Sequence, residues 1–291
     1  VTLLPRTQAF GYFAQNFVGL VERVTDHLAS PDKKLPRDRL WQVRAKEVVI
    51  ATGAHERPLV FPDNDRPGIM LADAARIFAN RYGVRPGGRA VVATAHDSAY
   101  QAALDLKAAG VSIERIVDLR HEANGALPNA ARAAGIRVDV ATAITGSTGS
   151  LRVKSARVSK IGTDGEEDIP CDLILMCGGW TPSVHLFSQS RGKLKFDAER
   201  NVFIPGTSVQ AERSAGACRG SETLADAFAD GFAAAKKEMN YTNFPPVYWG
   251  GTGGPVTAGT VSINPKSGSY GTVGATPMPG VDRKSTRLNS S

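Results

Sequence analysis

Apolar runs typical of buried strands alternate with runs of helical periodicity through the middle of the chain. The predicted strands are Arg89–Thr94, Ile113–Leu119 and Ile136–Val140, and the predicted helices between them are Ser98–Ala109 and Pro128–Ala134. Strands that alternate with helices at this spacing form a parallel sheet joined by crossover helices. The pattern therefore predicts an α/β fold with the topology of a nucleotide-binding domain.

The flanking residues predict further elements, assigned from apolar spacing and turn residues. Before the central unit these are a strand at Val1–Leu4, a helix from Phe17 to Leu28 with Asn16 as N-cap, strands at Leu40–Arg44 and Glu47–Ala51, a proline-rich connector at Glu56–Gly68 and a helix from Leu71 to Tyr82. After it they are an antiparallel excursion at Leu151–Ile161, strands at Asp172–Met176 and Asn201–Ile204, and a final helix from Leu224 to Met239.

These elements divide the chain into five segments. Residues 1–85 precede the central α/β unit, which covers residues 86–180, and residues 181–241 follow it. Residues 242–281 form a Gly- and Pro-rich linker, and 282–291 resemble a translated sequencing adapter. We therefore expect an internal fragment of a longer protein.

Charge and composition argue against several classes of protein. The formal net charge is +7, but basic and acidic residues are interleaved, which argues against a nucleic-acid partner. No apolar stretch approaches the roughly 20 residues that a spanning helix needs, so we expect no membrane segment. Three cysteines cannot build a disulfide framework, which favours a reducing compartment and a cytoplasmic location.

The segment Val48–Ala54 carries the clearest local motif for ligand binding. A hydrophobic strand ends at the small residues Ala51, Thr52 and Gly53, so that backbone can approach a ligand at the carboxyl edge of a sheet. The alternative interpretation is an ordinary strand that ends in a turn. From these seven residues alone the two interpretations are about equally good.

The turn at Thr94–Ala99 lies between a strand and a helix, where a dinucleotide fingerprint belongs. Asp118 ends the next strand, as the fingerprint expects, but the glycines are absent. Without them the tight turn and the close approach of a pyrophosphate are both impaired. We expect a nucleotide-domain fold without the usual phosphate binding.

A second run of small residues, from Ser214 to Glu222, leads into the final predicted helix. Small residues before a helix N-terminus favour an anion, because free N–H groups point outward. The alternative is a flexible loop with Ser221 as N-cap. Three isolated histidines (His55, His96 and His185) show no metal-ligand spacing. Ser98 is interpreted as a helix cap and Cys177 as an inert buried thiol, so we assign no catalytic residue.

The order of these pieces resembles the two-dinucleotide-domain oxidoreductases, in which a second nucleotide domain interrupts the first. Within that superfamily several motifs are similar to the alpha subunits of heterotetrameric sarcosine oxidases. They are Thr2–Tyr12 (TLLPRTQAFGY), Ala51–Pro58 (ATGAHERP), Phe61–Gly68 (FPDNDRPG), Asn80–Val84 (NRYGV) and Asp97–Tyr100 (DSAY). The resemblance extends from Val1 to about Met239. It implies that residues 1–85 are the C-terminal part of a first dinucleotide-binding domain with its connector, truncated at the N-terminus. It also implies that residues 86–180 are an inserted second dinucleotide-binding-like domain and that residues 181–241 return to the first domain.

This resemblance implies a function for the whole complex. The alpha subunit of the family binds NAD in its first domain, and a beta subunit with FAD and FMN oxidises the amine substrate. Sarcosine is demethylated to glycine with formation of hydrogen peroxide. The one-carbon unit passes to tetrahydrofolate in a C-terminal domain of the alpha subunit or leaves as formaldehyde. Gamma and delta subunits complete the heterotetramer.

Carried over by position, the resemblance assigns cofactor-binding residues to this chain. They are Val1, Ala51, Thr52, Gly53, Gly216, Ala217, Glu222 and Leu224. Glu222 departs from the family, which prefers an apolar residue there, and its carboxylate would repel a pyrophosphate. Two alternatives stay open: the corresponding subunit of an amine, opine or cyanide-forming dehydrogenase, and a non-catalytic scaffold subunit.

Overall fold

The computed structural model describes residues 1–238 and Thr286–Arg287. The strands are β1 (Thr7–Phe13), β2 (Phe17–Arg23), β3 (Asp38–Arg44), β4 (Val48–Ile50), β5 (Ala54–Glu56), β6 (Ile69–Leu71), β7 (Arg89–Thr94), β8 (Ser112–Asp118), β9 (Val138–Asp139), β10 (Thr142–Thr148), β11 (Ser155–Lys160), β12 (Glu166–Pro170), β13 (Leu173–Cys177), β14 (Trp180–Pro182), β15 (Lys193–Asp197), β16 (Val202–Thr207), β17 (Glu212–Ser214) and β18 (Thr286–Arg287). The helices are α1 (Ala72–Tyr82), α2 (Ser98–Ala108), α3 (Ala126–Ala133), α4 (His185–Gln189) and α5 (Leu224–Glu238).

The described residues form two compact units. Unit 1 contains residues 1–54 and the described residues after 181, and unit 2 contains residues 55–181. The connector and α1, which the sequence assigns to the first domain, lie in unit 2. The linker predicted at 242–281 lies outside the described residues. So does the segment 282–291, apart from Thr286–Arg287, which pair with β3.

Unit 2 is built on a five-stranded sheet with the order β6-β13-β7-β8-β9, and every neighbouring pair is parallel. The predicted parallel sheet with crossover helices is therefore confirmed. Alternate residues of β7 point to opposite faces, as the pleat requires. Ala90 and Val92 pack with buried residues of α1 and α2, whereas Val91 and Ala93 pack with the antiparallel strands.

Those antiparallel strands are β10, β11 and β12, which form a three-stranded sheet with continuous pairing. The predicted excursion at Leu151–Ile161 is confirmed and extends further in both directions. Ile144, Val158 and Ile169 are among the buried side chains of this sheet. Because parallel sheets need both faces covered, this sheet and the helices together bury the central strands of unit 2.

Unit 1 begins with an antiparallel sheet in the order β1-β2-β3-β18. The helix predicted from Phe17 to Leu28 is wrong, because Phe17–Arg23 is strand β2 and pairs with both β1 and β3. Asn16 is not an N-cap. It lies in the left-handed region, with φ 52°, in the turn between β1 and β2. The strand predicted at Val1–Leu4 is also wrong, since β1 starts at Thr7.

The remainder of unit 1 holds two short sheets and the last helix. β4 and β17 form a parallel pair, and β15 and β16 form an antiparallel hairpin. The final helix is confirmed as α5, which is described as far as Glu238. None of the helices in the described residues is long and apolar enough to cross a membrane.

Asn16 joins three separate segments of unit 1 through its buried side chain. Its Oδ1 accepts a hydrogen bond from the Tyr12 hydroxyl at 2.8 Å, and its Nδ2 donates to the carbonyl oxygens of Lys46 at 2.9 Å and Ala211 at 3.0 Å. The side chain therefore ties the β1–β2 turn to the residues that precede β4 and β17. Loss of this amide removes the acceptor of the buried Tyr12 hydroxyl and one donor to each carbonyl, although the Ala211 carbonyl still accepts from the Val48 amide at 3.0 Å. A buried polar group left unpaired is costly.

We expect Asn16→Ala to lower the free energy of unfolding by about 2–4 kcal/mol, because it removes these hydrogen bonds and puts alanine at a positive φ. Asn16→Gly is the matched control, since it removes the same hydrogen bonds but accepts the backbone conformation. It should be less destabilising than alanine by about 1 kcal/mol. Urea unfolding followed by circular dichroism measures both. Equal stability of wild type and Asn16→Ala would contradict this role.

Glu212, the first residue of β17, is a second buried polar group of unit 1. Burial raises the pKa of its carboxyl above the ordinary value, and hydrogen bonds from the hydroxyls of Ser190 and Ser208 only partly offset this effect. The folded protein therefore holds this proton more tightly than the unfolded chain. Its contribution to stability is complete below the unfolded pKa and is lost as pH rises through the folded pKa.

We expect the free energy of unfolding to fall over that pH window in the wild type, on the order of 1 kcal/mol from this group. Glu212→Gln, which does not titrate, should lack this part of the fall. Urea titrations between pH 4 and 8 on both proteins give the difference directly. Parallel stability curves for the two proteins would show that Glu212 titrates normally.

Candidate functional site

The carboxyl ends of β4 and β17 lie side by side in unit 1. Glu212 pairs with Val48 and Ser214 with Ile50, and the ladder continues with the Ala215 amide donating to the Ile50 carbonyl at 2.9 Å. Two segments that are far apart in the sequence therefore leave the same sheet edge together. These are the turn at Ala51–Gly53 and the loop that starts at Ala215.

A glycine in the left-handed region stands in each of these two turns. Gly53 has φ 74° and Gly216 has φ 75°, a conformation that residues with a side chain rarely adopt. A Cβ added to Gly53 would meet no atom within 4 Å, and one added to Gly216 would only touch the Ala227 methyl group at 3.8 Å. The backbone at both turns thus borders open space, as close approach by a cofactor requires. The residues present fit a dinucleotide in this respect.

The Ala51–Gly53 turn is fixed by Ser183. The Thr52 hydroxyl donates to the Ser183 carbonyl at 2.6 Å, and the Ser183 amide donates to the Gly53 carbonyl at 2.9 Å. These contacts hold the turn in place although Ala51 and Thr52 are exposed. The sequence gives no signal for Ser183, because only the fold brings it to this turn.

The loop after Ala215 is held from two sides. Cys218 is buried, and its thiol donates to the Ile50 carbonyl at 3.2 Å. On the other side the Asp230 carboxylate accepts from the Gly216 amide at 3.3 Å, from the Ser221 hydroxyl and from the Arg219 guanidinium at 3.3 Å. Asp230 on α5 is not predicted from the sequence. In the sequence, the one sign of this role is that an acidic residue follows the small-residue loop within the predicted helix.

Ser221 therefore does not act as an N-cap. At the start of α5 the Thr223 hydroxyl accepts from the Asp226 amide at 3.1 Å, which gives Thr223 that role. The interpretation of Ser221 as an N-cap is therefore wrong. The small-residue loop that was predicted before the last helix is present.

Glu222 and Leu224 lie at the start of the last helix and are exposed. The Glu222 carboxylate accepts from Arg200 Nε at 2.6 Å, and the same guanidinium also binds Asp197 at 2.8 Å. The negative charge of Glu222 is therefore paired. Val1 belongs to no strand and is 54% exposed, so its predicted position on a strand beside the nucleotide is not found.

The interpretation of Ser98 as a helix cap is wrong. Its hydroxyl does not cap α2, because the N-cap of that helix is Asp97, which makes no side-chain capping hydrogen bond. It lies 3.0 Å from His96 Nδ1 and accepts from the Trp180 indole at 3.0 Å. Cys177 is fully buried, and burial raises its pKa to about 11, which agrees with an inert thiol. The described residues contain no cluster that could hold a metal ion and no disulfide.

Comparison with known proteins agrees with this architecture. Residues 15–206 match the family described as pyridine nucleotide-disulphide oxidoreductase. The chain belongs to this family. The L-proline dehydrogenase structure from P. horikoshii superposes with a TM-score of 0.57 at 20% identity, over 81% of this chain and 41% of that one. This likeness supports the predicted Rossmann-like α/β fold.

Sequence relatives narrow the assignment within the family. The sarcosine oxidase alpha subunit of Corynebacterium sp. (strain P-1) is 39% identical over 89% of this chain and 27% of its own length. The A subunit of opine oxidase from Agrobacterium tumefaciens (strain Ach5) is 31% identical over 57% of this chain and 36% of its own length. The chain is thus a homologue of sarcosine oxidase alpha subunits and spans about a quarter of their length.

We expect Asp230→Ala to loosen the loop from Gly216 to Ser221, because the carboxylate is the shared acceptor for three groups of that loop. Amide hydrogen exchange of this segment should accelerate, and the free energy of unfolding should fall by about 1–2 kcal/mol. Asp226→Ala on the same helix is the control and should leave the exchange of the loop unchanged. Equal exchange in all three proteins would show that Asp230 does not hold the loop.

Proposed function

We propose that this chain is part of the NAD-binding alpha subunit of a sarcosine-oxidase-type complex. The observation that carries the proposal is the convergence of two positive-φ glycine turns at the ends of parallel strands. It occurs in a chain that is 37–39% identical to relatives named as sarcosine oxidase alpha subunits. Ligands of open α/β sheets bind at such carboxyl ends.

In this proposal the residues at the two turns have different roles. The backbone of Gly53 and Gly216 gives the nucleotide close approach, and Ala51, Thr52 and Ala217 add only small side chains beside it. Leu224 offers an apolar contact, and Glu222 is tolerated because Arg200 pairs its charge. When bound, NAD supplies a nicotinamide ring that can take up or give back a hydride.

We assign the oxidation of sarcosine to glycine, with formation of hydrogen peroxide, to a beta subunit that carries FAD and FMN, as the resemblance to the sarcosine oxidase family implies. Gamma and delta subunits and a folate-binding region that accepts the one-carbon unit complete the proposed complex.

A second candidate is the corresponding subunit of an opine-oxidising enzyme, which the 31% identity to the A subunit of opine oxidase favours. The two candidates share the nucleotide site and differ in the substrate of the complex. Co-expression of the full-length gene with its neighbouring subunit genes, followed by peroxide measurement, separates them. We expect hydrogen peroxide with sarcosine and none with opines. The reverse result would assign the opine reaction.

The nucleotide site itself is tested with two matched glycine substitutions. Gly53 and Gly135 have nearly equal φ values of 74° and 76°, and neither would bring a Cβ within 4 Å of another atom. Gly53→Ala and Gly135→Ala should therefore cost similar stability, about 1 kcal/mol each. Only Gly53→Ala should weaken NAD binding, because Gly135 lies in unit 2.

We expect NAD at millimolar concentration to slow amide exchange at residues 51–53 and 215–224 of the wild-type chain. The effect should decrease in Gly53→Ala and persist in Gly135→Ala. We also expect this chain alone to bind NAD weakly. Low-micromolar affinity would contradict that expectation, and protection confined to other segments would contradict the proposed site.

A further inference from the structure

The strand order of unit 2 contains the kind of switch point at which α/β folds usually bind a nucleotide. β7 lies at the centre of the sheet, β8 follows it on one side, and β13 is its neighbour on the other side. From β7 the chain adds β8 and β9 on one side of the sheet, and it later returns to add β13 on the other side of β7. The order of strands therefore reverses between β7 and β13, although all the strands are parallel. Ligands of open α/β sheets bind at such switch points. The turn from Thr94 to Ser98 follows β7 at this point and leads into α2.

Side chains of this turn occupy the amides that would hold a phosphate. The Thr94 hydroxyl accepts from the His96 amide at 2.9 Å and donates to the His96 carbonyl at 2.8 Å. His96 Nδ1 accepts from the Ser98 amide at 3.1 Å. A phosphate at a helix N-terminus needs such N–H groups to be free. In unit 2 the side chains of Thr94 and His96, at positions where the fingerprint has glycines, already accept hydrogen bonds from these N–H groups.

The charge at the same point also opposes an anion. Asp97 is the N-cap of α2 and carries its carboxylate where the helix dipole would otherwise attract a phosphate. Its partner is Arg120, whose Nη2 lies 2.8 Å from one Asp97 oxygen and 2.7 Å from one Asp118 oxygen. The guanidinium is thus shared between two carboxylates of the protein, and their charges offset the attraction it would exert on a phosphate.

The acid that would bind a ribose hydroxyl is fully enclosed. Asp118 ends β8 and has 0% exposure. Its Oδ2 accepts from the Tyr100 hydroxyl at 2.6 Å and from Arg120, and its Oδ1 accepts from the Arg120 amide at 2.9 Å and from Arg120 Nε at 3.0 Å. A carboxylate has about four lone-pair sites, and these contacts use all of them.

We infer that Thr94 and His96 are specificity-determining residues that close unit 2 to the pyrophosphate of a dinucleotide, so that dinucleotide binding is confined to unit 1. The closure of unit 2 rests on the hydrogen bonds of that unit alone, whereas the confinement to unit 1 rests on the proposed function. A fold with two nucleotide domains would by itself predict two bound dinucleotides. In this inference the side chains of the Thr94–Ser98 turn prevent the second one from binding.

The test is amide exchange of the 291-residue chain with and without millimolar NADH, read segment by segment. In the wild type, exchange at residues 94–100 should not change. Thr94→Gly/His96→Gly frees the two occupied amides, and it should bind NADH at this segment at least about tenfold more tightly than the wild type, as two new charge-assisted hydrogen bonds allow. Ala95→Gly is the matched control, because it adds a glycine to the same turn without freeing an amide.

The outcomes separate the two proposals. NADH-dependent protection of residues 94–100 in the wild type would overturn the inference, and this arm needs no variant to fold. A folded double variant that gains no more protection than Ala95→Gly would overturn it too. Protection at residues 51–53 and 215–224 reports on unit 1 independently, so that failure there would count against the proposed function and leave the closure of unit 2 in place.

Discussion

The parallel pairing of β4 with β17 is the interaction on which the candidate site depends. The two strands are short, three residues each, and their ladder ends with the Ala215 amide on the Ile50 carbonyl. Without this register the Gly53 turn and the Gly216 loop would not leave the sheet at the same level. The Asn16 side chain reinforces it, because its amide binds the carbonyl oxygens of Lys46 and Ala211 just before each strand.

The two units differ in the turns that follow their parallel strands. Each has a turn that follows a parallel strand, as nucleotide-binding folds require. In unit 1 the turns contain glycines with positive φ and border open space, whereas in unit 2 the Thr94 and His96 side chains fill the corresponding hydrogen-bonding positions. Function in such folds therefore depends on a few residues of the turn and not on the sheet.

Sequence patterns predicted the fold best where the length of each apolar run and its periodicity indicated the same element. The central alternation from Arg89 onward predicted the parallel sheet, because buried strands and crossover helices differ in length as well as in periodicity. The prediction failed at Phe17–Arg23, where apolar residues spaced for a helix also fit a strand. Pairing with two neighbours decided in favour of the strand, and that pairing is tertiary information. Ser183 and Asp230 were missed for the same reason, since only the fold brings them to the turns they hold.

The carboxylate of Glu222 illustrates how a residue that looks unfavourable can be compatible with an anionic ligand. Arg200 pairs with both Glu222 and Asp197, and about half of the Arg200 and Glu222 side chains is exposed. Exposed ion pairs contribute only about 0–1 kcal/mol, so this pair is easily rearranged. A pyrophosphate beside the loop would compete with Glu222 for the guanidinium, and Asp197 would still hold the arginine in place. Arg200 therefore offsets the charge of Glu222 and makes the position less repulsive than an unpaired carboxylate would be, but one guanidinium shared between two carboxylates does not by itself attract an anion.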